Sequence, residues 1–206
     1  MGSVTELKGL NGRTKTIEPE TRELLDSALR GYTATRGEDG FEEARTIWNG
    51  MIDRSPGLVV RALGTSDICA AVNFARDNGI LMSVRAGGHQ IAGLAVEDGA
   101  MMLDLSLMRS VHVDPVAQTA RVEAGALLAD VDRETQLHGL ALPVGVNSTT
   151  GIAGLTLGGG FGWITRKYGM TIDNLVSADV VTADGSVVRA SEAEHPDLFW
   201  AIRGGG

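Results

Sequence analysis

The residues best suited to chemistry are an arginine, two adjacent glycines and a histidine in the loop 85–93, RAGGHQIAG. Adjacent glycines let the backbone adopt positive φ and let a ligand approach the main chain closely, because neither carries a Cβ atom. Successive N–H groups in such a turn can form a concave nest that binds an anion such as phosphate. His89, beside this nest, is placed to contact whatever group the phosphates carry.

A second glycine-rich stretch covers residues 144–163, VGVNSTTGIAGLTLGGGFGW. It is too apolar for a linker and too rich in glycine for a stable isolated helix. Backbone of this kind suits a position flat against a planar or phosphorylated ligand. Residues 147–150 are expected to cap a short helix and to donate hydrogen bonds to pyrophosphate oxygens. The alternative is a glycine-rich packing corner that binds nothing.

The distribution of glycine supports ligand-binding loops. The sequence has 28 glycines in 206 residues, and half of them lie within 87–93, 145–169 and 204–206. The Rossmann glycine fingerprint, the P-loop and the Gly-x-Ser-x-Gly nucleophile elbow are all absent from the sequence. Four histidines and one cysteine are too scattered for zinc-type spacing, so we expect no metal site.

The loop 85–93 follows a predicted β-α-β unit. Residues 58–62 and 80–84 form its strands, and the helix 68–78 between them is expected to be capped by Ser66-Asp67. Because such crossovers are right-handed and join parallel strands, the loop should lie at the carboxyl end of a parallel strand. Open α/β folds commonly bind ligands at that edge.

The other elements are expected to complete an α+β fold. Residues 1–20 are predicted to be a ragged entry segment, and Trp48 is interpreted as a packing anchor in a helical stretch over 41–49. The remaining predicted elements are a helix over 20–30, a strand over 100–105, a hairpin over 111–124, a helix over 127–138, a hairpin over 176–190 and an apolar element from 198. A chain that stops at such an element and three glycines is expected to be truncated.

Composition limits the class of protein. The net charge of −8 and the pI near 5.0 argue against a nucleic-acid or acidic-membrane surface. Cys69 is the single cysteine, which favours a reducing, cytoplasmic location, and its apolar helical neighbourhood suggests an inert core thiol. No apolar run approaches the ~20 residues of a membrane span. The N-terminus lacks the apolar core of a signal peptide.

Seven motifs in order resemble the FAD-binding domain of the vanillyl-alcohol-oxidase/PCMH superfamily, in its berberine-bridge-enzyme-like branch and in the style of its bacterial oxidases. They are Arg85–His89, Pro143–Asn147, Leu157–Trp163, Arg166–Gly169, Asp173–Asn174, Val181–Gly185 and Asp197–Gly206. The resemblance implies an α+β, PCMH-type FAD-binding domain of two α/β subdomains with FAD between them, truncated before the substrate domain. The expected domains are a helical entry segment over 1–55 and subdomains over 56–115 and 116–206.

The resemblance also implies the cofactor and its contacts. FAD is expected to be joined to His89 by an 8α-Nδ1-histidyl bond. The other implied contacts are Arg85, Ala86, Gly87, Gly88, Gln90 and Gly93 in the first loop, and Asn147, Ser148, Thr149, Thr150, Gly151, Gly154, Gly158, Gly159, Gly160, Phe161 and Gly162 in the second stretch. Some relatives carry a second, cysteinyl link at the position of Asn147. Since asparagine cannot form a thioether, a single covalent bond is expected here.

The implied activity is that of an FAD-dependent oxidase. It would abstract hydride from a C–H next to oxygen or nitrogen of a small metabolite and reduce dioxygen to hydrogen peroxide. The expected partners are a small-molecule substrate, dioxygen and a second copy in a homodimer, with neither nucleic acid nor membrane. No catalytic base is assigned, and Tyr168 is interpreted as structural. The alternatives are an electron-transfer subunit or dehydrogenase with non-covalent FAD, and a flavin-binding remnant without turnover.

Overall fold

A computed structural model describes residues 4–205 as an α+β fold, in agreement with the predicted class. The chain divides into two compact units. The first unit is Met1–Leu107 with Val181–Val187, and the second is Met108–Val180 with Val188–Gly206. The domain boundaries expected after residues 55 and 115 stay a prediction.

The described residues form ten strands and seven α-helices. The strands are β1 (Thr5–Lys8), β2 (Thr14–Ile17), β3 (Tyr32–Ala34), β4 (Leu58–Arg61), β5 (Met82–Arg85), β6 (Met101–Asp104), β7 (Val111–Asp114), β8 (Thr119–Val122), β9 (Ser177–Val181) and β10 (Val187–Ser191). The helices are α1 (Pro19–Ala28), α2 (Phe41–Arg45), α3 (Thr65–Asn78), α4 (Leu128–Gln136), α5 (Ile152–Leu157), α6 (Thr165–Tyr168) and α7 (Pro196–Ala201). A short 3₁₀ helix spans Thr171–Asn174.

The first unit is organised around a four-stranded sheet in the order β3-β4-β6-β5. β4 and β5 both run parallel to β6, with Val60 and Val84 opposite Leu103, whereas β3 is antiparallel to β4. Every residue of β4 and β6 is buried, as expected of parallel strands covered on both faces. The predicted β-α-β unit is therefore confirmed, and β6 lies between its two strands.

The start of α3 differs from the prediction. Asp67 does not precede the helix but lies in its first turn, and the N-cap is Gly64 without a side-chain hydrogen bond. The buried carboxylate of Asp67 accepts hydrogen bonds from the backbone N–H groups of Arg30, Gly31 and Leu63 at 3.0, 3.0 and 2.8 Å. Burial alone would raise the pKa of Asp67, but these hydrogen bonds outweigh it and lower the pKa.

The prediction of a ragged segment over residues 1–20 is wrong for residues 4–20, and residues 1–3 lie outside the described part of the chain. β1 and β2 form an antiparallel hairpin in which Thr5 lies opposite Ile17, and Leu7 and Ile17 are buried. Residues 4–55 also contain β3 beside α1 and α2, so this part of the chain is not simply helical. The hairpin is stabilised by the burial of a few apolar side chains. Because its strands are only four residues long, they carry little apolar periodicity and are hard to recognise in the sequence.

The second unit has a small core of its own. Ala126, Leu128, Val131, Val144 and Ile152 pack together, and Val111 of β7 and Val122 of β8 lie against them. β7 and β8 form the predicted antiparallel hairpin, with Val113 opposite Ala120. β9 and β10 form a separate two-stranded sheet, as the Asp184-Gly185 turn predicted.

The structure also bears on the cysteine, the membrane spans and the metal sites considered in the sequence analysis. Cys69 is half-buried and its thiol is free, so it is not the core residue that its apolar pattern suggested. Between residues 4 and 205, no helix has the length and apolarity needed to cross a membrane. The same residues include no group of three or more His, Cys, Asp or Glu side chains arranged to hold a metal ion.

Candidate functional site

The loop 85–93 lies at the carboxyl end of β5, where the sequence predicted it. Its first residue is bound to the sheet, because the N–H of Leu105 donates to the carbonyl oxygen of Arg85 at 2.8 Å. Gly88 and Gly93 have φ of +69° and +71°. A Cβ atom at Gly93 would lie 2.7 Å from Cγ2 of Ile52, so that glycine is needed for close packing as well as for its conformation.

The side chain of Arg85 is held by a buried carboxylate. Its Nη1 donates to Oδ1 of Asp104 at 3.0 Å, and Asp104 is 0% exposed. Oδ2 of Asp104 also accepts from Nε of Arg61 at 2.9 Å and from the hydroxyl of Ser106 at 2.8 Å. The guanidinium of Arg85 therefore fixes the base of the loop to β6. The predicted contact of Arg85 with FAD stays a prediction.

Arg61 is the second cation beside Asp104, and it is only 3% exposed. Its Nη1 and Nη2 donate to Glu43 at 3.3 and 3.2 Å, and Nη1 donates to the hydroxyl of Tyr32 at 3.2 Å. Burial opposes the charge, but the bonds to Glu43 and Tyr32 and the charge of Asp104 outweigh burial and raise the pKa of Arg61. Arg61 therefore stays charged although it is buried, and it connects Asp104 with Glu43 and Tyr32.

A support segment, residues 46–49, lies beside the loop 85–93, which is called the histidine loop below. The N–H of Trp48 donates to the carbonyl oxygen of Gly88 at 3.0 Å, and Nδ2 of Asn49 donates to the carbonyl oxygen of Ile91 at 2.8 Å. The indole of Trp48 stacks on the imidazole of His89, with ring centroids 5.3 Å apart and planes inclined by 23°. His89 is half-buried in this arrangement.

The interpretation of Trp48 as a packing anchor is wrong. Trp48 is 56% exposed, and the buried residues of this region are Phe41, Ala44 and Ile47. The sequence signal that could have directed attention to Trp48 is its position directly after Ile47, outside the apolar face that α2 turns inward. Asp104 was also missed, although a carboxylate at the end of an otherwise apolar strand needs a buried cation.

Gln90 closes the far end of the histidine loop. Its carbonyl oxygen accepts from the N–H of Gly93 at 3.0 Å, and its Oε1 accepts from the N–H of Leu94 at 3.1 Å. Ala86 and Gly87, between the two anchored ends, are half-buried. The loop is consequently held at both ends by hydrogen bonds, with its central residues at the edge of the sheet.

In the second unit, the C-terminal part of the glycine-rich stretch is a packing corner. The N–H of Thr171 donates to the carbonyl oxygen of Gly160 at 2.9 Å, and its hydroxyl donates to that of Pro143 at 2.7 Å. A Cβ atom at Gly160 would meet Oγ1 of Thr171 at 2.3 Å, and one at Gly162 would meet the carbonyl oxygen of Val144 at 1.9 Å. Close packing within the chain therefore explains these two glycines.

Gly154 and Gly158 have no such explanation. A Cβ atom at Gly154 would meet nothing within 4 Å, and one at Gly158 would meet only carbonyl oxygens of the preceding turn, the nearer at 3.5 Å. Residues four apart lie on the same face of a helix. A glycine inside a helix costs about 0.5–1 kcal/mol relative to alanine. Gly154 in α5 and Gly158 at its C-cap leave main chain that no side chain of their own covers, which suits the close approach of a flat, phosphorylated ligand such as FAD.

The predicted capping of α5 by residues 147–150 is wrong. The N-cap of α5 is Gly151, and no side chain bonds to the cap. Oδ1 of Asn147 instead accepts from the N–H and hydroxyl of Thr149 at 3.1 and 2.9 Å, which makes a local turn. The carbonyl oxygens of Ser148 and Thr150 accept from the N–H groups of Ala129 and Leu128. These residues cap α4 through their backbone, because the first N–H groups of a helix need acceptors.

The remaining predicted residues lie around these segments. Phe161 and Trp163 are largely exposed, and Gly159 and Gly151 are buried. Tyr168 is exposed at the end of α6, with Nζ of Lys167 located 4.9 Å from the centre of its ring. The structure thus gathers Arg85, Ala86, Gly87, Gly88, His89, Gln90 and Gly93 in the first unit, and residues 147–162 in the second.

Comparison with known proteins agrees with this geometry. Residues 56–191 match the family described as FAD binding domain. The chain is 40% identical over 179 residues to (R)-6-hydroxynicotine oxidase of Paenarthrobacter nicotinovorans, an overlap of 87% of this chain and 39% of that protein. The crystal structure of 6-hydroxy-D-nicotine oxidase from Arthrobacter nicotinovorans matches with a TM-score of 0.83 at 40% identity, over 85% of this chain and 39% of that one.

A third similar protein is glucooligosaccharide oxidase from Acremonium strictum, whose structure is described in terms of a 6-S-cysteinyl, 8α-N1-histidyl FAD. It matches with a TM-score of 0.84 at 35% identity, over 90% of this chain and 40% of that one. The chain spans about two fifths of the length of the first curated relatives. It belongs to the FAD binding domain family, in the berberine-bridge-enzyme-like branch of the vanillyl-alcohol-oxidase/PCMH superfamily, and its cofactor is FAD.

Proposed function

We propose that this chain is the FAD-binding part of an oxidase whose flavin is attached covalently to His89. The observation that supports this most directly is the placement of His89 in a positive-φ glycine loop at the carboxyl end of a parallel strand, in a chain of this family. Bound FAD supplies the acceptor for a hydride taken from a C–H next to oxygen or nitrogen. The chain binds, orients and tethers it.

Each group of residues has a separate task. The backbone of residues 86–88 offers N–H groups to the phosphates, and the face of Gly154 and Gly158 admits a flat ring close to the main chain. The pair of Asp104 and Arg85 holds the loop to the sheet, so that the position of His89 does not depend on the cofactor. No residue of the chain is assigned as the base that deprotonates the substrate.

The proposed covalent bond would join a ring nitrogen of His89 to the 8-methyl carbon of the flavin. The imidazole would give up its N–H hydrogen and the methyl group would give up one hydrogen, which together amount to two protons and two electrons. Dioxygen would take up both electrons and both protons and become hydrogen peroxide. Since a nitrogen substituent withdraws electrons, the linked flavin would be a stronger hydride acceptor.

Acid precipitation of the intact protein tests the link. The wild-type pellet should retain yellow, fluorescent flavin, and the His89→Ala variant should release it to the supernatant, because only a covalent bond survives denaturation. His112→Ala is the matched control, since His112 lies on the exposed side of β7 and should leave the flavin in the pellet. Wild-type flavin in the supernatant, with an unmodified His89 peptide by mass spectrometry, would contradict the link.

The residue at position 147, an asparagine, leads us to expect a single covalent bond between the protein and the flavin. Glucooligosaccharide oxidase is described with both cysteinyl and histidyl attachment, whereas position 147 of this chain carries an amide that cannot form a thioether. In a digest of the wild-type protein, the flavin mass should be found on the peptide with His89 and not on the peptide with Asn147. Flavin on the Asn147 peptide would show the single-bond expectation to be wrong.

The electron acceptor needs its own measurement. The oxidase relatives support dioxygen as the acceptor and a small metabolite or oligosaccharide as the substrate. With a substrate in air, one hydrogen peroxide should form for each molecule oxidised. Reduction of an added dye without peroxide would instead favour a dehydrogenase or an electron-transfer subunit. A homodimer and a cytoplasmic location, which fits the free thiol of Cys69, complete the proposal.

A further inference from the structure

We infer that Trp48 is a positioning residue for His89. Its indole limits the orientations of the imidazole to which the flavin is proposed to be attached. This role presupposes the covalent link proposed above and adds a residue that neither the sequence motifs nor the glycine loop identified.

The backbone brings the two side chains side by side. The N–H of Trp48 donates to the carbonyl oxygen of Gly88, the residue directly before His89, at 3.0 Å. One residue further on, Nδ2 of Asn49 donates to the carbonyl oxygen of Ile91 at 2.8 Å. One hydrogen bond on each side of His89 therefore holds the support segment against the loop, and the stacked pair does not depend on ring contact alone.

The rings then restrict each other. Centroids 5.3 Å apart with planes at 23° lie within the range of offset-stacked aromatic pairs. The χ2 torsion of a histidine has a broad, shallow profile, so an isolated imidazole samples many orientations. Stacking on the indole limits this freedom. It covers a face of the imidazole and not the edge, where both nitrogen atoms lie.

Trp48 contributes little to the core. The residue is 56% exposed, whereas its neighbour Ile47 is buried with Phe41 and Ala44. Replacing Trp48 should therefore leave the fold intact. The ring of Trp48 stacks on His89, and a role in orienting the histidine accounts for a large aromatic group at this exposed position.

The indole of Trp48 can also stabilise the positive charge that the imidazole of His89 acquires while the bond forms. When a neutral imidazole forms a bond through its unprotonated nitrogen, the ring becomes positive until the N–H proton leaves. A tryptophan face attracts a cation more strongly than phenylalanine does, and an aliphatic side chain does not attract one in this way. The rate of bond formation should consequently fall in the order Trp, Phe, Leu at position 48.

The test follows attachment of FAD to the intact protein, prepared without flavin and then mixed with saturating FAD. Samples taken over time are denatured, and the covalent fraction is read from flavin fluorescence that remains with the polypeptide on a gel. The initial rate should be about tenfold lower for Trp48→Leu than for the wild type, with Trp48→Phe between them. Trp200→Leu, at an exposed tryptophan of α7, is the matched control and should attach FAD at the wild-type rate.

The possible results separate the two proposals. No covalent flavin in the wild type would overturn the link to His89 and with it this role of Trp48. Covalent flavin in the wild type with an equal rate in Trp48→Leu would overturn the role of Trp48 alone. Should Trp48→Leu fail to fold, as judged by circular dichroism, the comparison of wild type with Trp48→Phe and Trp48→Tyr decides between them.

A second readout needs no flavin. In the flavin-free protein, the carbon-bound ring protons of His89 should resonate upfield, because they lie over the indole, and His89→Ala identifies the signals. Trp48→Leu should remove the upfield shift, and Trp200→Leu should preserve it. Unshifted His89 protons in the wild-type protein would contradict the stacked orientation directly.

Discussion

At the scale of single residues, the role of His89 depends on the groups around it rather than on the histidine itself. His112 and His138 are the same residue type, but they lie exposed on β7 and after α4, without a glycine loop or a stacking ring. His89 combines an anchored loop below it with the indole of Trp48 on one side. Its neighbours turn an ordinary imidazole into one held in a defined orientation.

Among the residues that hold the histidine loop to the sheet, Asp104 is expected to lower the free energy of unfolding most when it is replaced. In Asp104→Asn the carboxylate that balances Arg61 and Arg85 is lost, and two guanidinium groups on side chains that are 3% and 15% exposed lose a charged partner. Breaking a buried pair in this way should lower the free energy of unfolding by about 3 kcal/mol. Urea denaturation of the flavin-free protein, followed by circular dichroism, measures the change.

Glu43→Gln is the matched control for Asp104. Glu43 also pairs with Arg61, but its side chain is 74% exposed, so its charge is screened by water. The loss should be less than about 1 kcal/mol. Equal losses in the two variants would mean that burial does not determine the strength of this network.

At the scale of elements, the glycine-rich stretch of the second unit contains two kinds of glycine. Gly160 and Gly162 are required by contacts with Thr171 and Val144, whereas Gly154 has open space around the position of a side chain. The two interpretations of this stretch, backbone that lies against a ligand and a glycine-rich packing corner, therefore apply to different residues. At Gly154 in helix α5 no other atom of the chain occupies the position of a side chain.

Gly154→Ala should separate stability from binding. Alanine favours a helix over glycine, so the free energy of unfolding of the flavin-free protein should rise by about 0.5–1 kcal/mol. An added methyl group against a closely packed ligand is unfavourable, so the dissociation constant of FAD should increase about tenfold. Binding is measured by flavin fluorescence in a His89→Ala background, where FAD can dissociate.

Gln136→Ala provides the comparison for Gly154→Ala. Gln136 is an exposed residue at the end of α4 in the same unit, so the substitution should leave the affinity for FAD unchanged. If Gly154→Ala also left the affinity unchanged, FAD would not lie against the open face of α5.

At the scale of the whole molecule, each unit contains a partly or fully buried carboxylate whose charged form is favoured. Asp67 accepts three backbone hydrogen bonds in the first unit. In the second, Asp130 accepts from Nε and Nη2 of Arg109 at 2.8 and 2.7 Å. Burial would raise the pKa of Asp130, but the bonds from Arg109 and the N–H of Leu127 outweigh it and lower the pKa. Both units should therefore lose stability in acid.

Asp67→Asn should reveal this pH dependence. The pKa of Asp67 is lowered in the folded protein relative to an unfolded value of about 3.9, so its carboxylate stabilises the fold above that pH and progressively less as pH falls through the folded pKa. The difference in unfolding free energy between wild type and Asp67→Asn should be largest near neutral pH and should shrink below about pH 4. Urea denaturation across this range measures it.

Asp39→Asn is the control for the acid range. Asp39 lies exposed on a surface turn, so its replacement should change the unfolding free energy by no more than about 0.5 kcal/mol at any pH. A difference for Asp67→Asn that stayed constant down to low pH would show that its effect is steric and not due to the carboxylate charge.

Much of the fold and part of the site follow from local sequence patterns. The β-α-β unit around α3, the hairpins of β7–β8 and β9–β10, and the histidine loop at the end of β5 were all predicted, because apolar periodicity and turn residues act over a few positions. The ordered motifs likewise indicated the FAD-binding family, which the comparisons show.

Only the tertiary structure decided which side chains serve the site. The stacking of Trp48 on His89, the burial of Asp104 between Arg61 and Arg85, and the carboxylate of Asp67 all join segments distant in the chain. The physical reason is that such contacts depend on where folding places two segments, and neither segment carries a periodic signal of the other. The sequence by itself determined the loop, the glycines and the cofactor class, and folding supplied the neighbours that orient the histidine.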